Sequence, residues 1–115
     1  MKDVRFKMRL WFEDEQGRII FGPGRALLLQ KVKECGSLNK AAKELGMSYR
    51  AAWGKIKASE EVLNQKLLAK TEGSKSFTLT EIGLQILEKY ENWRNSVYEF
   101  AQKEANFFPK IKENL

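Results

Sequence analysis

Three features predict a mainly α fold with small β hairpins: a winged helix-turn-helix with an N-terminal β hairpin and a long C-terminal dimerisation helix. Residues 36–56, GSLNKAAKELGMSYRAAWGKI, read as two short helices joined by a glycine turn. Residues 67–79 read as a short hairpin directly after the second of them, which is the position of a wing. From Glu81 a helical apolar pattern runs without a breaker to Pro109. The expected organisation is a winged domain over 1–80, with its N-terminal hairpin at 4–21, helix-turn-helix at 37–63 and wing at 67–79. A dimerisation helix over 81–108 and a tail over 109–115 follow.

At the N-terminus, Val4, Phe6, Met8, Leu10 and Phe12 alternate with Arg5, Lys7, Arg9, Trp11 and Glu13, the period of a half-buried strand. Gly17 supplies a turn, and residues 19–21 are expected to return antiparallel. Gly22-Pro23-Gly24 breaks that strand. A first helix over 26–35, apolar at Leu27, Leu28 and Val32, should pack beneath the helix-turn-helix.

Ser37 caps the next helix, Ala41, Ala42 and Leu45 form its apolar stripe, and Gly46 suits the left-handed residue that ends it. The small Ala41–Ala42 pair lets two helices cross closely. Ser48 caps the recognition helix, for which Ala51, Ala52 and Ile56 are the facing stripe, continued by Val62 and Leu63. Tyr49, Arg50 and Trp53 are left facing outward at its start. Trp53 has two readings, a contact to a thymine methyl or sugar and a core residue between recognition helix and wing. Gly54 costs about 1 kcal/mol of helix propensity relative to alanine, which close approach of DNA or of a neighbouring helix would explain.

Leu67 to Thr71 and Phe77 to Thr80 are the expected wing strands around Glu72-Gly73-Ser74-Lys75-Ser76, with Lys70 and Lys75 placed near a phosphate backbone. Thr80 caps the last helix. Ile86, Tyr90, Trp93, Val97, Phe100 and Phe107 recur along it at alternating four- and three-residue spacing, with Glu104 as the break, a coiled-coil-like seam that a second subunit would cover. The other reading folds this stripe back onto its own domain and the N-terminal hairpin.

Charge agrees with a polyanionic partner. The 115 residues carry a formal net charge of +6, and the excess is uneven: residues 1–76 hold 16 Lys+Arg against 9 Asp+Glu, residues 77–115 only 5 against 6. A phosphate-binding face is therefore expected in the first 76 residues; solvated surface lysines are the plainer alternative. With no apolar run of spanning length and no signal-peptide pattern, the expectation is a cytoplasmic chain that does not enter a membrane. The single cysteine, Cys35, can form no internal disulfide and reads as a small buried apolar residue. There is no histidine, no metal-ligand spacing, no phosphate-cradling glycine loop and no nucleophile beside a base, so neither catalysis nor a cofactor is expected.

These parts predict a homodimer on double-stranded DNA with each recognition helix in a major groove. Ser48 and Tyr49 donate to phosphates, and Arg50 bridges O6 and N7 of a guanine. Lys40, Lys43, Lys55 and Lys57 are either phosphate contacts or solvated charges. The alternative is an interaction or scaffold module that keeps the fold without reading DNA.

The segment GPGRALLLQKVKECGSLNKAAKELGMSYRAAWGKI, with LLAKTEGSKSFTLTEIGLQIL after it, resembles the N-terminal winged-helix domain of the ModE family of molybdate-responsive bacterial transcription regulators. More distantly it resembles the LysR-type regulators. The most specific pieces are Gly22-Pro23-Gly24-Arg25, Gly36-Ser37 with Ala41-Ala42, Gly46-Met47-Ser48-Tyr49-Arg50 with Ala52-Trp53, and Leu79-Thr80-Glu81-Ile82-Gly83. The resemblance implies sequence-specific DNA binding. Molybdate-responsive members carry C-terminal β-barrel oxyanion domains that have no counterpart in these 115 residues, so no molybdate ligand is assigned. A signal, if one acts, is expected from a separate sensor protein or a ligand at the dimer interface. The wing is also shorter and poorer in glycine than the family pattern.

Overall fold

The computed structural model describes residues 3–108 and the backbone of residues 111–112. Most of the expected tail over 109–115 therefore lies outside the described residues. In chain order the elements are β1 (Val4–Arg5), β2 (Phe12–Glu13), β3 (Ile19–Phe21), α1 (Pro23–Cys35), α2 (Leu38–Glu44), α3 (Tyr49–Leu63), β4 (Leu68–Lys70), β5 (Phe77–Leu79), α4 (Glu81–Glu104), a 3-10 turn (Ala105–Phe107) and β6 (Ile111–Lys112). No helix among the described residues is long and apolar enough to cross a membrane.

The expected single strand from Val4 to Phe12 is two short ones. β1 pairs in parallel with β6, whereas β2 pairs antiparallel with β3. The alternation holds nonetheless: Val4, Phe6, Met8 and Leu10 are half-buried while Arg5, Lys7 and Arg9 are exposed. Its cause is a helix beneath rather than a strand alongside. The Phe6 ring lies 5.2 Å from that of Tyr98, and the Tyr90 hydroxyl donates to Leu10 O at 2.7 Å, both from α4. Phe12, expected on the buried side, is exposed and stacks on Trp93.

α1 begins earlier than expected because Pro23, with no N–H to lose, suits a first helical turn. Leu28 and Val32 are buried as expected, whereas Leu27 is exposed and Leu29 takes its place on the inner side. The helix packs against α2, α3 and α4. Leu28, Leu29, Val32, Leu38, Ile56 and Leu87 are among the most buried side chains of the core where these elements meet. Ala41, Ala42 and Ala52, all buried, let α2 and α3 approach closely. Ala51 departs from its expected place and is exposed, as are Val62 and Leu63. The inner side of α3 is instead continued by two polar residues, Ser59 and Glu60, both buried.

Cys35 is also a correction: it is only partly buried, and its thiol donates to Glu44 Oε2 at 3.0 Å. That hydrogen bond holds the Glu44 carboxyl below its usual range and raises the thiol, since a thiolate would face a carboxylate. Glu44 also accepts from Lys31 at 3.1 Å, tying α1 to α2.

α4 is shared between the domain and the solvent. Its first half is packed: Gly83 and Leu87 are buried, Ile86 is half-buried, and Tyr90, at 5 % exposure, sits edge-on to Phe21. The expected seam is therefore corrected at Tyr90, which its own chain covers. Further along, Trp93 keeps 40 % of its surface exposed and Phe100 66 %.

Candidate nucleic-acid interface

The turn between α2 and α3 is built from backbone bonds and two caps. Ser37 Oγ accepts from Lys40 N at 3.2 Å and Ser48 Oγ from Ala51 N at 3.0 Å, each satisfying a helix-start amide. Gly46 closes α2 in the left-handed conformation at φ 69°, and Met47 N returns to Ala42 O at 2.9 Å. With its hydroxyl held by its own helix, Ser48 acts first as a cap, and any phosphate contact it makes is additional to that.

Tyr49 and Arg50 stand exposed at the start of α3. Asn39 from α2, Tyr49 from α3 and Lys75 and Ser76 from the wing, with Phe77 beneath, line an open cleft of about 350 Å³. Polar donors from three elements thus converge beside the exposed end of the recognition helix. Asn39 and Ser76 were not singled out from sequence. The available signal was modest: a donor-rich residue in the first turn of α2 and a hydroxyl beside the wing lysine.

Trp53 is half-buried, with its ring 4.6 Å from Phe77 of β5, so it joins recognition helix to wing. Lys57 Nζ lies 5.7 Å from the Trp53 ring and Lys70 Nζ 5.8 Å from Phe77, so this aromatic pair carries a cation on each of its two rings. Lys40 and Lys43 are exposed on α2. Lys55 is separated from the wing-side group: its carbonyl accepts from Arg25 Nε at 3.3 Å, and it borders a different cleft with Leu27, Leu45 and Met47. The ion pairs among the described residues engage Arg18, Lys31 and Lys66. None of them neutralises Lys40, Lys43, Arg50, Lys55, Lys57, Lys70 or Lys75.

A basic face around a capped helix-turn-helix and a wing narrows the family, and comparison decides it. Residues 25–84, just over half of the chain, match the bacterial regulatory helix-turn-helix proteins of the lysR family. The chain belongs to that family. Among curated proteins it is 29% identical over 96 residues to the transcriptional regulator ModE of Haemophilus influenzae, covering 78% of this chain and 38% of that protein. To the DNA-binding transcriptional dual regulator ModE of Escherichia coli it is 28% identical over 79 residues, 66% of this chain and 30% of that protein. It is also 32% identical over 72 residues to the molybdenum-pterin-binding protein MopB of Rhodobacter capsulatus, 60% of this chain and 27% of that protein. A crystal structure of a LysR family transcriptional regulator matches with a TM-score of 0.52 and 27% identity, over 71% of this chain and 29% of that one. The chain thus spans about a third of the length of these relatives. What it shares with the lysR family is the DNA-binding unit of a transcription regulator, from Arg25 at the start of α1 to the first turn of α4.

Proposed function

We propose that the chain is a ModE-type transcription regulator that binds a two-fold-related operator as a homodimer, in the bacterial cytoplasm, with α3 in the major groove. The observation that carries this reading is the exposed pair Tyr49–Arg50, flanked by lysines of α2, α3 and the wing that no ion pair among the described residues engages. In it, Arg50 reads a guanine, since a guanidinium matches O6 and N7 in one plane. Tyr49, Ser48, Lys40, Lys43 and Lys57 position the duplex through phosphates, as do Lys70 and Lys75 from the wing. Lys55, on the α1 side, meets the backbone beyond the groove. Trp53 supports the helix from behind through Phe77. Pairing of subunits uses the outer half of the long helix, Trp93, Val97 and Phe100, where apolar surface is left in water.

Arg50→Ala tests the reading. The variant should lose about 1–3 kcal/mol of specific affinity and relax preference at one base pair of each half-site. Selection of bound sequences from a random pool measures both for the wild type and the variant. Unchanged affinity with unchanged preference would overturn the assignment.

A further inference from the structure

Glu60 is a carboxylate with 6 % exposure on the inner side of α3, in a family unit whose other buried positions are almost all apolar. A buried charge persists only where hydrogen bonds replace its water. Here Oε2 accepts from Leu67 N at 2.8 Å and from Leu68 N at 3.2 Å, the two amides that lead into wing strand β4. The opposite edge of the same segment is held by Thr80, the cap of α4. Its Oγ1 donates to Lys66 O at 2.6 Å and its amide to Leu67 O at 3.0 Å. Next to Glu60, Ser59 Oγ donates to Ile20 O of β3. Residues 66–68 thus have two amides held by the Glu60 side chain of the recognition helix and two carbonyls held by Thr80, the residue that joins β5 to the long helix. The Leu68–Leu79 pair of the β4–β5 ladder follows directly, so Glu60 holds the edge of β4 that faces away from β5.

From this the geometry points to Glu60 as a positioning residue for the wing. Its carboxylate fixes the start of β4 against α3, so that Lys70 and Lys75 reach phosphates in register with Arg50. The inference rests on the DNA-binding reading above and adds the residue that couples wing to recognition helix. Glu60 itself touches no DNA, being on the inner side of α3.

Salt dependence of binding separates this role from a merely structural one. Each ammonium–phosphate contact contributes about 0.9 to the slope of log Kobs against log salt concentration. Fluorescence anisotropy with one labelled duplex gives the slope for wild type, Lys70→Ala, Lys75→Ala, Glu60→Gln, Glu60→Asp and the Glu60→Asp/Lys75→Ala pair. Glu60→Asp keeps the charge but withdraws the acceptor by one methylene, and should lower the slope by about 1.8, the two wing lysines' worth. Adding Lys75→Ala to it should change nothing further. Glu60→Gln retains an acceptor oxygen at full reach and should restore the wild-type slope. A folded Glu60→Asp protein with the wild-type slope, or one in which Lys75→Ala still subtracts its own contact, overturns the inference while leaving DNA binding intact. Should Glu60→Asp not fold, the surface variants decide: Lys70→Ala and Lys75→Ala must each lower the slope by about 0.9. If neither does, the wing takes no phosphate and Glu60 has nothing to position. A flat salt response in the wild type would instead sink the DNA reading, and the inference with it.

Discussion

Gly54 lies in the middle of α3, one turn beyond Arg50 and on the same side of the helix, since residues four apart share a face. A glycine there is disfavoured by about 0.8–1 kcal/mol relative to alanine. Close packing against a neighbouring helix would explain it, but a Cβ built at this position meets nothing within 4 Å. The free protein therefore has room for a methyl group. Gly54→Ala should raise unfolding stability by about 0.8–1 kcal/mol, equivalent to roughly 3–6 °C in melting temperature for a chain of this size. Thermal melts followed by circular dichroism read this directly, and an unchanged or lowered midpoint would refute the reasoning. The other explanation predicts the opposite sign in a second assay. If DNA comes close over Gly54, the added methyl must be accommodated at the groove, and operator affinity should fall while stability rises. A more stable variant with undiminished affinity would leave the glycine without the functional reason proposed for it.

Two further perturbations follow from the packing. A Cβ at Gly83 would overlap Leu67 O, so Gly83→Ala should destabilise by about 1–3 kcal/mol despite the better helix former; a urea midpoint equal to the wild type's would refute it. Phe100→Glu should shift a wild-type dimer toward monomer in sedimentation at micromolar concentration, because it sets like charges across the proposed seam without removing a contact inside the protomer core. A wild-type monomer near 13.3 kDa would remove the premise.

The helix-turn-helix was legible because its signals are local. Ser37, Gly46 and Ser48 act within a few residues of themselves, and caps and left-handed turns depend little on what packs over them. Wing strands bounded by Lys70 and Phe77 were legible for the same reason, a turn residue, Gly73 at φ 75°, between two short apolar runs. Long-range partners were not. Nothing around Glu60 announces that its carboxylate would be claimed by amides seven and eight residues on, so Val62 and Leu63 looked the better continuation of an apolar side. Cys35 was misread in the same way, because its partner Glu44 belongs to the next helix. In the candidate interface Tyr49 and Arg50 could be placed by helical spacing alone. Asn39 and Ser76 join them only once α2 and the wing are folded against α3.

The apolar stripe of α4 shows how a single pattern can serve two partners. Its period fits a seam running the whole length of the helix, and period alone cannot say who covers each turn. The N-terminal segment takes one share: Leu10 O receives the Tyr90 hydroxyl, Phe12 stacks on Trp93 at 5.1 Å and Phe6 meets Tyr98. A partner helix therefore cannot run along α4 from Ile86 to Phe100 in continuous register, because Tyr90 is already covered by its own chain. In the proposed dimer, contact between subunits would be confined to the surface beyond Tyr90, where Trp93 and Phe100 remain open and where the exposed Phe12 of the N-terminal hairpin stacks on Trp93. In such a dimer the hairpin would act as a spacer as well as a cover. Through the Ile20–Ser59 bond it also touches the far end of the recognition helix, so the element that limits the seam is fixed to the one proposed to enter the groove. In the proposed dimer, the separation of the two recognition helices is accordingly set by hairpin and helix together rather than by a coiled coil alone.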